Sequence, residues 1–365
     1  MSERNSALAA HHRALGSDLE EWNGMGAPWS YNSDPCDEHD AVRTNAGLFD
    51  VSGLKKVHVR GRDSLAVVDH IITRNMSAIP IGRSAYGPIL NDDGGICDDA
   101  IIFNLAENDY LVVHGSGECR ERLDESAAGR DVAIEFDDDL HNISLQGPAS
   151  VDFLDRHTPV DLPALKYFHQ QSTTLFDRPV MISRTGFSGE RGFELLATAE
   201  HIVPLWEAIV ENGAGQGIMP CSFTGLDKIR IEAALLFYPY DMTAANTPWE
   251  VTFGWAVSRK KGDFRGKDAV FAREGQDNIN MIGIEADHGD IVDAGADLLV
   301  AGQKVGTVNS PAWSHRLNKS LALVHVEPAA AAIGTVYELK GENVTCAATA
   351  VRIPFYDPDK TRTHA

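Results

Sequence analysis

The chain has 365 residues, 43% of them hydrophobic, and carries 53 acidic against 32 basic residues for a formal net charge of −21 at pH 7. A field of that sign repels phosphate backbones, and no basic run is long enough to reverse it locally, so nucleic-acid binding is not expected. No segment approaches the roughly 18 to 20 uninterrupted apolar residues of a membrane-spanning helix, and the polar stretch from Met1 to Asp18 lacks the apolar core of a secretion signal; the expected location is the cytoplasm, with no membrane partner.

In chain order, the first forty residues mix helix-compatible stretches with turn formers, and Gly24, Gly26, Pro28 and the run Asn32-Ser33-Asp34-Pro35 interrupt regular structure. Residues 37–44 predict a short helix, and Gly47 allows a turn behind it. Residues 54–60 alternate as a half-buried strand, and residues 64–73 place Leu65, Val68 and Ile72 on one side of an amphipathic helix. Over residues 86–104 the pattern is strand, tight turn, strand, with Gly94 and Gly95 free to take positive φ. Further strands are predicted at 110–113, 132–136 and 143–145, a helix at 118–128, and a helix opening at Gly147-Pro148-Ala149. A second unit of similar rhythm has strands at 180–184 and 193–196 around a turn-rich segment at 186–192, then helices at 202–211 and 225–235. From about residue 276 the texture changes to short strands separated by glycines, which predicts a small all-β terminal domain.

Cys36, Cys97, Cys119, Cys221 and Cys346 are scattered without a CxxC pair. They frame neither disulfides nor a zinc site, and no metal is expected. No Walker loop, dinucleotide fingerprint, HExxH, EF-hand or GxSxG occurs. The glycine-rich residues 186–192 lack the lysine and serine of a phosphate loop, and Glu190 would repel phosphate. Two adjacent acids, Asp98 and Asp99, sit among Ile96, Cys97, Ala100 and Ile101. On a strand only one of them can look into a given pocket, and an exposed edge and a site role are both open. Arg230 interrupts an apolar segment, where it can bind a carboxylate or pair with Asp227.

Ordered segments along nearly the whole chain resemble the aminomethyltransferase superfamily: residues 38–52 (EHDAVRTNAGLFDVS), 90–99 (LNDDGGICDD), 145–148 (LQGP), 184–194 (RTGFSGERGFE), 227–233 (DKIRIEA), 264–267 (FRGK) and 353–355 (IPF). That superfamily includes the glycine cleavage T-protein, folate-dependent demethylases and the folate-binding halves of dimethylglycine- and sarcosine-oxidizing enzymes. The resemblance implies an α+β fold in a three-domain ring. Residues 1–275 would form two intertwined α+β subdomains, residues 276–365 a C-terminal β-barrel domain, and tetrahydrofolate would bind in the central hole. It implies Asp98, the first of the acidic pair, as the catalytic aspartate and Glu194 as the pterin-binding carboxylate, with Tyr86, Phe187 and Arg230 in the cofactor-binding set.

The chain departs from the glycine-cleavage pattern at Gly53-Leu54, at His114-Gly115, and at Leu226, which stands where an arginine that holds the cofactor is usual. Loss of that cation leaves the folate tail to another base, with Lys340 and Arg316 as candidates. The framework motifs survive while these pocket positions change. The expected reaction is therefore transfer of a methyl group from a small O-, N- or S-methylated substrate to N5 of tetrahydrofolate, driven largely by proximity and alignment. If the leaving atom is an ether oxygen a proton must be delivered as the bond breaks, and His114, Tyr31 and Tyr86 are the candidate donors, a structural histidine being the plain alternative for His114. Two other readings are an aminomethyltransferase of glycine cleavage, with a lipoylated carrier protein as partner and 5,10-methylenetetrahydrofolate as product, and a folate-binding scaffold without turnover.

Overall fold

The computed structural model describes residue 4 and residues 6–364. Helix α1 (Ala9–Ala14), the hairpin β1 (Glu20–Trp22) and β2 (Met25–Ala27), and helix α2 (Pro35–Thr44) lead into strand β3 (Ala46–Asp50). The chain then builds an antiparallel sheet from β4 (Lys55–Arg60), β5 (Arg83–Leu90), β6 (Ile96–Ala106), β7 (Asp109–His114) and β8 (Ala133–Phe136), ordered β5-β6-β7-β4-β8. Helices α3 (Ser64–Ile71) and α4 (Cys119–Ala127) share one core with it, where Val67, Val68 and Leu123 meet Val57, Ile102 and Val112. Only after this does the chain return to β3. Strands β9 (Leu140–Gln146), β10 (Gln170–Leu175), β11 (Arg178–Ser183), β12 (Gly192–Thr198) and β13 (Ile218–Pro220) join it in the order β10-β11-β12-β9-β3-β13, packed by α5 (Ser150–Asp155) and α6 (Ala199–Gly213). The first sheet is thus inserted in sequence between two strands of the second.

After α7 (Phe223–Glu232) and α8 (Lys267–Ala272), a closed barrel is formed by β14 (Asn280–Ala286), β15 (Asp297–Val300), β16 (Gln303–Ser314), β17 (Lys319–Val326), β18 (Val336–Lys340) and β19 (Thr345–Val351), ordered β14-β17-β16-β15-β18-β19. Closure leaves no open strand edge, which suits a small all-β unit. The architecture is therefore α+β with a C-terminal six-stranded barrel. Among the described residues no helix is long and apolar enough to cross a membrane.

Helix α2 begins where Asp34 accepts a hydrogen bond from the Cys36 amide at 2.8 Å, with Pro35 in the first turn and Asp37 and Glu38 at the positive end of the helix dipole. Its inner face is unusually charged. Glu38 accepts from the Ser222 amide and hydroxyl at 2.8 and 2.7 Å, which ties α2 to the start of α7. Arg43 donates to Glu190 at 3.1 Å, to Glu232 at 3.0 Å and to the carbonyls of Ser188 and Ile229, and its guanidinium carbon lies 4.1 Å from the centre of the Tyr356 ring. Burial alone would raise the Glu232 carboxyl, but the hydrogen bond and charge of His39 and the charge of Arg43 outweigh it and hold it down at about 2.

Helix α7 stops at Glu232, short of the predicted end at residue 235, because Ala234 takes a left-handed conformation at φ 52° that no α-helix continues. Gly47, expected in a turn, lies inside β3: a Cβ there would come within 2.4 Å of Val42 and 2.6 Å of the Cys221 sulfur, so its smallness serves close packing.

Candidate active site

A cavity of about 730 Å³ opens where the two sheets, the start of α7 and the segment after the barrel converge. That volume suits a small organic cofactor. The period-two alternation of strands decides what it sees of β6. Asp99, Ile101 and Phe103 line the wall, beside Val113 of the neighbouring strand β7. Phe49 comes from β3 and Val51 from just past its end, Asn142 and Ser144 from β9, and Glu194 from β12; Phe187, Leu226 and Phe237 complete an apolar and aromatic surround.

Two of the acids that line the cavity stand on strands, one from each sheet. Asp99 accepts a 2.5 Å hydrogen bond from the Tyr86 hydroxyl. Burial and the neighbouring Asp98 charge push its carboxyl up to about 7, and burial together with the Asp99 charge holds the Tyr86 hydroxyl well above its ordinary range, so it stays a donor. Glu194 is bonded by the Thr185 hydroxyl on one oxygen and by Asn142 Nδ2 at 3.4 Å on the other. Burial raises its pKa, and the two hydrogen bonds offset part of the rise. The Asn142 side-chain oxygen is buried without a partner among the described residues.

The acidic pair divides differently from the expectation that placed Asp98 in the site. Asp98 is fully buried behind the wall, where it accepts from His114 Nδ1 at 2.9 Å and from the Cys119 amide at 3.1 Å. Asp98, Ala100 and His114 belong to the opposite face of the sheet from Asp99, because residues 98 and 100 alternate with 99 and Ala100 pairs directly with His114. His114 borders the cavity, but its ring is turned to Asp98, and its Nε2 is buried without a partner among the described residues.

Tyr86, Glu194, Leu226 and Phe187 all line the cavity. Four other expected site residues do not. The Tyr31 hydroxyl is tied to His12 Nδ1 at 2.8 Å, and His12 reaches Asp50 at 2.8 Å; burial and the Asp50 charge raise this phenol far above its usual range, so it is a poor proton donor. Arg230 is held by Asp227, Asp241 and the Ser310 hydroxyl, bracing α7 against β16, and meets the cavity lining from behind, at the Leu235 carbonyl 3.3 Å away and the Phe237 ring 5.8 Å away. Lys340 lies exposed on barrel strand β18, and Arg316 pairs with Asp40 at 2.9 Å. The base that does reach the cavity is Lys360, in the tail after the barrel, together with Arg184. No motif pointed to Lys360, whereas Asn142 could have been found from the alternation of β9.

Comparison with known proteins now applies to a site already described. Residues 8–261 match the family model described as the GCVT N-terminal domain, and residues 280–357 match the glycine cleavage T-protein C-terminal barrel domain. The heme-dependent oxidative N-demethylase gamma subunit of Ectopseudomonas mendocina is 45% identical over 370 residues, covering 99% of this chain and 98% of that protein. The aminomethyltransferase of Streptomyces avermitilis is 34% identical, covering 98% of each. The crystal structure of glycine cleavage system aminomethyltransferase T from Bartonella henselae shares the fold, with a TM-score of 0.89 at 24% identity, over 97% of this chain and 98% of that one. The chain belongs to the glycine cleavage T-protein (aminomethyltransferase) superfamily, folate-dependent demethylases included, and is a one-carbon transferase with the capacity to use tetrahydrofolate.

Proposed function

We propose that the protein captures a one-carbon unit at the oxidation level of formaldehyde, released by oxidation of an N-methyl group, and loads it onto tetrahydrofolate held in the cavity. The observation that carries this is the full-length similarity to a subunit of an oxidative N-demethylase, in a chain whose cavity is lined by the carboxylates of Glu194 and Asp99. Oxidising an N-methyl group yields formaldehyde and the demethylated amine. Formaldehyde and tetrahydrofolate combine to 5,10-methylenetetrahydrofolate and water with no redox change, so no further oxidant is needed. The direct methyl transfer expected from sequence gives methylfolate instead and is the competing outcome.

The residues fit the cofactor. Glu194 offers lone pairs to the paired N–H donors of an aminopyrimidine edge, with the unpartnered Asn142 oxygen beside it. Phe187, Phe237 and Leu226 give flat apolar cover, and Lys360 is the base we assign to the glutamate tail in place of Lys340 and Arg316. When bound, tetrahydrofolate supplies the nucleophilic nitrogens that take up the carbon. Asp99, rather than Asp98, is the acid we place at the reacting centre. Its ionised form can accept a proton and stabilise positive charge, and the Tyr86 hydroxyl fixes its orientation. Asp98 and His114 act behind it as support for β6 and β7.

The test is to incubate the purified protein with tetrahydrofolate and either formaldehyde or a panel of methylated amines, and to separate folate products by mass spectrometry. Protein-dependent methylenetetrahydrofolate from formaldehyde is expected. Methylfolate made directly from a methylated amine would overturn the reading.

The same assay carries a pH signature. The raised Asp99 carboxyl contributes stability that is full below its ordinary pKa near 4 and is lost as pH rises through about 7. Transfer that needs the ionised form runs the other way, climbing up to about pH 7 and levelling above it. A rate profile flat across that range would detach Asp99 from the reaction.

A further inference from the structure

Outside the cavity, α2 and the turn between β16 and β17 bring together His39, Asp40 and His315, with one potential ligand atom from each within 4.8 Å of the others. His39 is fully buried, and its Nε2 lies 2.8 Å from a Glu232 carboxylate that already accepts from Arg43 at 3.0 Å and from the Ser314 hydroxyl at 2.5 Å. A carboxylate so placed leaves the ring to donate from Nε2. Once the ring gives up its Nδ1 proton, as any ligating imidazole must, the lone pair there is free for a metal, and Nδ1 is buried with no hydrogen-bond partner among the described residues. A buried ring nitrogen orphaned in this way calls for an explanation.

Asp40 Oδ1 lies 3.8 Å from that Nδ1 and 3.1 Å from His315 Nε2. Donors on a tetrahedral ion with bonds of about 2.0 to 2.1 Å stand about 3.3 Å apart, so small side-chain adjustments would let all three reach one centre. We propose that His39 Nδ1, Asp40 Oδ1 and His315 Nε2 form a binding site for a divalent transition metal of the zinc class, joining α2 to the barrel. Imidazole nitrogens with a carboxylate suit zinc, and the Glu232–His39 contact is the carboxylate support that orients a ligating ring. The Asp40 side chain is 48% exposed, so water can enter and complete the coordination. Arg316, whose guanidinium sits 2.9 Å from Asp40 Oδ1, is the competitor the ion displaces; it is exposed and free to swing outward.

The full untagged chain, stripped with chelator and titrated with zinc chloride by calorimetry, should take up one ion per chain. His315→Ala and, independently, Asp40→Asn should each weaken that binding by at least about tenfold, with circular dichroism confirming that the variant tested is folded. Arg316→Ala, which frees Asp40, should bind zinc at least as tightly as the parent. Absence of saturable zinc uptake by the parent, or equal affinity in the parent and a folded ligand variant, overturns the site.

Discussion

Asp99→Asn is expected to lower one-carbon transfer by about 10²- to 10⁴-fold while tetrahydrofolate still binds. The substitution keeps the size of the side chain and its ability to accept from Tyr86, but removes the charge and the basic site. Folate binding should survive because Glu194, Asn142 and the aromatic walls are untouched. Comparing turnover with calorimetric folate affinity separates these roles. Asp98→Asn is the informative contrast: that carboxylate is spent on His114 and the Cys119 amide, so its loss should show first as lower stability. Near-parental turnover in Asp99→Asn, with a large kinetic defect in Asp98→Asn, would return the chemistry to the acid behind the wall.

Arg43→Met is expected to destabilise the fold by about 3 to 5 kcal/mol. The guanidinium is buried between Glu190 and Glu232 and also satisfies the carbonyls of Ser188 and Ile229. Methionine fills part of the volume but leaves two buried carboxylates short of a counter-charge. Arg362 still bonds Glu190 at 2.7 Å and His39 still bonds Glu232, so the loss is incomplete on each side. Denaturant midpoints at constant m-value would measure it. A change below about 1 kcal/mol would show that those two partners suffice.

Much of the fold was legible because its signals are local. Alternation marked β4, a strand–turn–strand pattern marked β5 and β6, and glycine-separated strands marked the barrel. What escaped lacks such signals. β3 carries Gly47, which reads as a turn until Val42 and Cys221 are seen pressing on it. β10 is the polar run Gln170–Leu175 at the end of its sheet, and β13 is three residues whose parallel pairing with β3 depends on a distant partner. In the site, Tyr86 and Glu194 came from the family resemblance. The choice between Asp98 and Asp99 could not be read from adjacency, since it rests on which face of β6 meets the second sheet. Arg230 and Tyr31 were chosen for chemistry that the fold has already committed to Asp227, Asp241 and His12.

The insertion of one sheet between strands of the other governs how the molecule can be made on a ribosome. Residues 46–50 emerge long before either neighbour, since β9 begins at Leu140 and β13 ends at Pro220. A nascent polypeptide therefore carries a hydrophobic segment, with Leu48 and Phe49 in it, that lacks its first neighbour until Leu140–Gln146 is made and its second until Ile218–Pro220. The intervening β4–β8 segment, by contrast, has every hydrogen-bonding neighbour of its own sheet to hand by Phe136.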